Sequence, residues 1–228
     1  MFSLDHIEKL IYDFYNSSDG HSVANKQLTY YQVSKESWDF SWMLLQPEKA
    51  IEVQYFGASC LHMKISKYWT GLDDDEKILQ LRSKLLETMC KYMTDGKLKI
   101  VQTKLCVALA SYIVHSITAH WPTAICDLIE NFKPANLPNI PPNKIVNTLI
   151  SILNVVPEEF NANFMSMAER GQTRQALVSS VTPVFGVIQS ILEQQQHDLY
   201  DVKQLAIKCF ANWSQNLGTL SECGLCPS

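Results

Sequence analysis

Apolar residues recur at helical spacing along almost the whole chain, and this periodicity constrains the fold more than any other feature. Near the start, Leu4, Ile7 and Ile11 lie on one helical face. No segment shows the sustained apolar–polar alternation of a half-buried strand. The sequence therefore predicts an all-α protein of about ten helices. They cover roughly residues 4–15, 22–33, 34–46, 48–69, 75–93, 99–119, 122–131, 143–156, 167–195 and 198–212.

The length of the chain fits an array of helix pairs. Ten helices over 228 residues correspond to about 45 residues per pair, which is within the range of HEAT and armadillo repeats. Several helices carry apolar residues on more than one face, as stacking between two neighbours requires. Hydrophobic residues make up 46% of the chain, enough for a large core. Together these features favour an α-solenoid over a compact helix bundle.

Charge and composition argue against several classes of protein. The chain has 19 Lys and Arg against 23 Asp and Glu, without a basic block, which argues against a nucleic-acid binder. Its acidic start argues against a signal peptide. The uncharged stretches 105–126 and 175–192 contain polar residues and proline, so we expect no membrane-spanning helix. Seven cysteines, mostly scattered singly, favour reduced thiols in a nucleocytoplasmic protein.

No motif in the sequence predicts catalysis, a metal or a cofactor. The acidic run 73–76 fits a capping box between Asp73 and Glu76 better than a calcium loop. His115 and His120 are five residues apart, off the shared helix face that zinc ligation needs. Cys223 and Cys226 form a single pair without a second half-site. Since no phosphate loop or nucleophile elbow occurs either, we predict a protein that is not an enzyme.

Two neighbouring segments carry a family resemblance. Residues 38–47 read Trp-Asp-Phe-Ser-Trp-Met-Leu-Leu-Gln-Pro, and residues 53–65 read Val-Gln-Tyr-Phe-Gly-Ala-Ser-Cys-Leu-His-Met-Lys-Ile. With the Ser66, Tyr68 and Trp69 that follow, this order resembles the importin-N region of the importin-β superfamily, at about residues 21–69. Further along, segments 103–111, 155–160 and 202–210 resemble the same family, so the resemblance extends to about Cys223.

The resemblance implies a right-handed α-solenoid of about five HEAT repeats that spans residues 1–228. Members of the family are several times longer, so the chain looks like an N-terminal arch that is truncated at its C-terminus. Residues 224–228 do not continue the expected next helix. An open terminal repeat predicts exposed apolar surface from Leu205, Phe210 and Trp213.

The resemblance also implies a nuclear transport receptor that shuttles between cytoplasm and nucleus. In this family the N-terminal repeats bind the GTP form of Ran, chiefly through the second helix of each pair, which lines the concave face. Ran binding would then release import cargo, and the nucleotide cycle of Ran would supply the energy. Grooves between first helices are expected to hold Phe-Gly repeats of nucleoporins. Cargo proteins are expected partners of a full-length form.

Candidate Ran contacts are polar or small residues on the outward faces of the second helices. On the helix after Pro47, a core stripe is expected from Val53, Phe56, Cys60 and Met63. This leaves an outward face of Gln54, Ala58, Ser59, His62 and Ser66. The resemblance places this helix on the Ran-facing wall, and the predicted contacts are Asn25, Gln32, Gln54, Tyr55, Ser59, His62, Thr103 and Lys104. For each residue the alternative is a solvated face. For the chain, the alternatives are a generic helical scaffold and a non-functional truncated isoform.

Overall fold

The computed structural model describes residues 3–16, 21–72, 74–94, 98–195 and 200–217, and within these ranges it contains helices and no strand. The prediction of an all-α protein is therefore confirmed. Short 3₁₀ helices at Trp69–Gly71 and Pro134–Asn136 follow the fourth and seventh α-helices. The α-helices in the described ranges are α1 (Leu4–Asn16), α2 (His21–Val33), α3 (Ser37–Leu44), α4 (Ile51–Tyr68), α5 (Asp75–Thr94), α6 (Lys99–Ser116), α7 (Ala124–Asn131), α8 (Pro142–Ala162), α9 (Met167–Ser179), α10 (Val181–Glu193) and α11 (Tyr200–Leu217).

The helices form five successive pairs. α1 packs on α2, α3 on α4, α5 on α6 and α7 on α8, while α9 and α10 together supply the first part of a fifth pair that α11 completes. The second helices also stack on one another, from α2 to α4, α6, α8 and α11. Each inner pair is thus packed between two neighbours, which is the arrangement of an α-solenoid of HEAT repeats.

The core is a seam that runs along this stack. A small buried cluster with Ile7, Ile11 and Tyr31 joins α1, α2, α3 and α4, and a larger cluster continues from α4 to α11. Helix α6 is buried on almost every side, because α4, α5 and α8 surround it. This explains the uncharged stretch that begins at Leu105. A helix covered by protein on several sides needs no polar face.

Helix α8 continues through Pro157, the residue that leaves the end of this helix ambiguous in the sequence. The periodicity predicts a helix that ends near Val156, but α8 runs to Ala162 with Pro157 inside it. Proline has no N–H, so the carbonyl of Leu153 loses its usual helical donor. The indole Nε1 of Trp213 donates to that carbonyl at 2.7 Å. Helix α11 thereby supplies the hydrogen bond that the proline removes from α8.

This contact corrects the prediction that the terminal repeat exposes Trp213. The Trp213 side chain is 1% exposed, because it lies between α8 and α11. Leu205 is half-buried. Phe210 is 37% exposed, with its ring against Phe185. Of the three residues named from the sequence, Trp213 is thus buried, Leu205 is partly covered, and only Phe210 is exposed.

The single helix predicted over about residues 167–195 is two helices. α9 ends at Ser179, α10 begins at Val181, and the two are bent by 42°. Pro183 lies in the first turn of α10, where a missing N–H is tolerated. In the described part of the chain no helix alone is long and apolar enough to cross a membrane, and α9 and α10 pass that test only as this bent pair.

The acidic run before α5 acts as a helix cap. The Asp74 carboxylate accepts from the backbone N–H of Glu76 at 2.9 Å, and the Asp74 carbonyl accepts from the N–H of Ile78 at 3.1 Å. Asp73, which the sequence assigns to a capping box, lies outside the described residues. Cys223, Cys226 and the segment 224–228 lie outside them as well.

Candidate functional site

The candidate site lies on the stack formed by α2, α4, α6, α8 and α11, the second members of the five pairs. We call this stack the second-helix row. All eight predicted contact residues lie on its first three helices. The structure divides them between a groove at one end of the row and a hydrogen-bonded network further along. Gln54 and Thr103 belong to neither.

The α2–α4 groove brings together four of the predicted residues. Asn25, Gln32, Tyr55 and Ser59 line one cavity of about 160 Å³. Asn25 and Gln32 are two helical turns apart on α2, and Tyr55 and Ser59 are one turn apart on α4, so each pair shares a helix face. Asn25 is exposed and the other three are half-buried. The four side chains therefore share one accessible surface, and their contact with a partner stays a prediction.

The floor of the α2–α4 groove is apolar and its rim is polar. Ile11, Phe14, Leu28 and Phe56 line the floor, and all four belong to or pack against the buried cluster of the first repeat. The amide and hydroxyl groups of the rim can both donate and accept hydrogen bonds. An apolar centre surrounded by a polar rim is typical of protein–protein contacts. The groove can thus receive an apolar side chain of a partner while its rim binds polar groups.

Gln54 is a structural residue, so the expectation that it faces outward is wrong. It is 1% exposed, and its Nε2 donates to the carbonyl of Lys49 at 2.7 Å. The hydroxyl of Tyr92 donates to its Oε1, and burial raises the pKa of Tyr92 to about 12, so that hydroxyl keeps its proton at neutral pH. The physical reason is that α4 packs against both α3 and α6 and has core residues on two faces. Ala58 is fully buried for the same reason.

His62 and Lys104 meet further along the row, together with a residue that sequence reasoning missed. His62 Nε2 lies 2.9 Å from Oε2 of Glu159 on α8, and Lys104 Nζ on α6 lies 2.9 Å from His62 Nδ1. We call these residues the Lys104–His62–Glu159 network. It connects three consecutive second helices, α4, α6 and α8. The side chains of His62 and Glu159 are only 21% and 10% exposed.

Burial and charge act against each other at Lys104. Desolvation lowers the pKa of its ammonium group, and the Glu159 carboxylate opposes this by favouring the charged form. Glu159 therefore compensates a cation that is partly withdrawn from water. The network also borders a cavity of about 630 Å³, lined among others by His62, Glu159, Ser66 and Asn163, so it is accessible from that side.

Thr103 lies next to the network without joining it. Its side chain is exposed, and its hydroxyl donates to the carbonyl of Lys99 in the same helix at 2.8 Å. Glu159 belongs to one of the segments that carry the family resemblance, and this is the signal that could have drawn attention to it. Its partner His62 is 97 positions away in the chain, so only the folded structure reveals the contact.

His115 and His120 have other roles than metal binding. The His115 ring stacks on Trp69 with ring centroids 5.2 Å apart, and burial lowers the pKa of His115. His120 Nδ1 lies 3.5 Å from Oδ1 of Asp75 at the start of α5. Throughout the part of the chain that the structure describes, no three or more His, Cys, Asp or Glu side chains are grouped to hold a metal ion.

Comparison with known proteins identifies the family of these helix pairs. Residues 24–91 match the importin-beta N-terminal domain. Residues 98–219, more than half of the chain, match exportin 1-like protein. The chain belongs to the importin-β superfamily. The first of these regions contains the four polar residues of the α2–α4 groove and His62, and the second contains Lys104 and Glu159.

Individual members of the importin-β superfamily are similar over almost the whole chain. Importin-13 of Mus musculus and of Homo sapiens are each 34% identical over 224 residues, which cover 97% of this chain and 23% of theirs. Importin-13 homolog A of Dictyostelium discoideum is 28% identical over 224 residues. The chain thus resembles the N-terminal portion of importin-13 and spans about a quarter of these relatives.

Proposed function

We propose that this chain binds the GTP form of Ran along the second-helix row, as part of a nuclear transport receptor that shuttles between cytoplasm and nucleus. Membership of the importin-β superfamily supports the role in transport. The observation that carries the Ran proposal is the α2–α4 groove. Four residues selected from the sequence as Ran contacts line this one cavity, with an apolar floor beneath them.

In this proposal the groove and the network play different parts. An apolar side chain of Ran enters the α2–α4 groove, while Asn25, Gln32 and Ser59 hydrogen-bond polar groups beside it. His62, Lys104 and the exposed Thr103 extend the contact along the row. Such anchors in partly buried pockets supply most of the affinity in protein–protein interfaces. The chain itself performs no chemistry, because GTP hydrolysis by Ran supplies the energy.

Binding of Ran has a consequence for cargo. Cargo proteins of a longer form would occupy a surface that Ran-GTP competes for, so Ran-GTP would release them in the nucleus. This chain contributes a binding surface, part of which is held in place by internal hydrogen bonds.

A second groove supports a contact with Phe-Gly repeats of nucleoporins. It lies between α3 and α5, the first helices of the second and third pairs, and has a volume of about 300 Å³. Trp38, Trp42, Leu72 and Leu81 are among its lining residues. Aromatic and aliphatic side chains in a groove suit the burial of phenylalanine rings. A Phe-Gly peptide should therefore shift the indole NMR signals of Trp38 and Trp42. Equal shifts with a Ser-Gly peptide would contradict this contact.

The nucleotide state of Ran tests the main proposal. The chain should bind Ran loaded with a non-hydrolysable GTP analogue and should not bind GDP-loaded Ran, as measured by isothermal titration calorimetry. Equal binding to both forms would favour a generic helical scaffold. Absence of binding to either form would contradict the proposal directly.

A further inference from the structure

The Lys104–His62–Glu159 network is the one place where side chains of three consecutive second helices are joined by hydrogen bonds that the described residues show. His62 is on α4, Lys104 on α6 and Glu159 on α8, and both contacts to His62 are 2.9 Å long. Most contacts between these helices are apolar, and apolar contacts depend little on orientation. The network therefore holds their relative positions more specifically than packing does.

The chemistry of the three groups determines where the protons are. A lysine ammonium group has only donors, so Nδ1 of His62 must accept a hydrogen bond from Lys104. A carboxylate has only acceptors, so Nε2 of His62 must carry the hydrogen that points to Glu159. The imidazole is consequently a neutral ring in one tautomer. It is held between a cation and an anion, with one contact of 2.9 Å to each.

The position of the network relates it to the proposed Ran surface. His62 lies one turn after Ser59 on α4, and Ser59 lines the α2–α4 groove. His62 also borders the cavity of about 630 Å³ that Lys67, Thr70 and Glu159 help to line. Charged groups of all three helices thus lie at the ring or at its cavity: Lys104 on α6 and Glu159 on α8 contact the ring, and Lys67 on α4 lines the cavity.

We propose that Glu159 is a positioning residue for the partner surface: it holds the Nε2 hydrogen of His62 and so fixes the orientation of the ring, and through it the Lys104 ammonium. The inference rests on the proposed binding of Ran-GTP and adds a residue of α8 to that site. Glu159 acts through His62 and does not itself contact the partner. Because the network spans repeats two to four, it also couples the position of α8 to what binds on α4 and α6.

Three variants of the carboxylate test this role. Glu159→Ala removes the acceptor of the Nε2 hydrogen, so in ¹H–¹⁵N spectra this ring hydrogen of His62 should exchange with water much faster, and Ran-GTP affinity should fall about tenfold. Glu159→Gln keeps an oxygen acceptor for the Nε2 hydrogen and should retain both its slow exchange and most of the affinity. Glu158→Gln is the matched control, since Glu158 is exposed, accepts from Asn212 at 2.6 Å and is outside the network. It should change neither quantity.

A double-mutant cycle separates positioning from direct contact. If Glu159 acts through His62, then Glu159→Ala should cost little further affinity in a His62→Ala background. Additive losses, or an unchanged exchange rate of the His62 ring hydrogen in folded Glu159→Ala, would overturn the proposal. Circular dichroism and the unaffected NMR signals of Trp213 establish that each variant is folded. If the unaltered chain fails to bind Ran-GTP, the proposed function is overturned. If the unaltered chain binds and Glu159→Ala binds equally well, only the positioning role of Glu159 is overturned.

Discussion

The α2–α4 groove and the Lys104–His62–Glu159 network lie on the same row of helices, but they use polar side chains in different ways. In the groove, polar groups surround an apolar floor and reach solvent. In the network, they are bonded to one another at 2.9 Å. A partner can fill the groove without disturbing internal contacts, whereas a partner that bonds the network competes with them. The groove is therefore suited to affinity, and the network to fixed geometry.

The strongest test of this comparison blocks the groove. Ser59→Arg places a long charged side chain over the apolar floor between Tyr55 and Gln32. We expect it to weaken Ran-GTP binding by about 2 kcal/mol or more, roughly thirtyfold, because a filled pocket cannot receive an anchor. Isothermal titration calorimetry measures the affinity, and far-UV circular dichroism should show unchanged helix content.

The matched control for the groove is Ser190→Arg. Ser190 is exposed on α10, which does not line the α2–α4 groove, and among the described residues its hydroxyl donates to Gly186 within its own helix at 2.9 Å. Its replacement should leave the affinity unaltered. Equal affinity for Ser59→Arg and Ser190→Arg would show that the groove does not bind Ran.

A second test separates the surface from the core beneath it. In Gln54→Glu, the new carboxylate cannot donate to the Lys49 carbonyl and is buried, which should cost about 2 kcal/mol of stability. The melting temperature should then fall by about 4–8 °C for a chain of this size. Burial raises a carboxyl pKa, so this loss should be smaller at pH 5, where the group is protonated, than at pH 8. If Gln54→Glu were as stable as the original chain but no longer bound Ran, Gln54 would have to contact the partner.

A third test concerns His115, on the helix that also carries Lys104. Because burial lowers its folded pKa below that of the unfolded chain, the stability it contributes is present above the unfolded pKa and is lost as pH falls. The cost is at most about 1.4 kcal/mol per pH unit. Thermal unfolding from pH 7.5 to 5.5 should show a steeper decline for the original chain than for His115→Gln. If the stability of the two chains fell equally with pH, His115 would not be the source of the decline.

The smallest effect is expected at Thr103. Its hydroxyl bonds only within its own helix among the hydrogen bonds described, so Thr103→Ala removes nothing that fixes the network. As a residue at the rim of the contact, it should change Ran-GTP affinity by less than about threefold. Calorimetry with the same Ran preparation provides the measurement. A loss of affinity as large as that of Ser59→Arg would indicate that the contact is centred on α6 and not on the groove.

Prediction from the sequence succeeded where local pattern determines structure. Helix α1 follows from the stripe of Leu4, Ile7 and Ile11, and the repeat length follows from the number of helices. The groove residues were within reach too, because positions four and seven apart share a helix face. Gln54 was misplaced because the pattern shows one buried face of α4, while packing on two sides buries a second.

The sequence by itself determined the helical class, the repeat period and the family of this protein, since these depend on spacing and on short motifs. Only the tertiary structure decided which polar residues stay accessible. It buries Gln54, pairs Trp213 with the carbonyl that Pro157 leaves free, and joins His62 to Glu159 across 97 positions. The physical reason is the same in each case. A buried polar group must find its partner, and that partner belongs to another helix that only folding brings near.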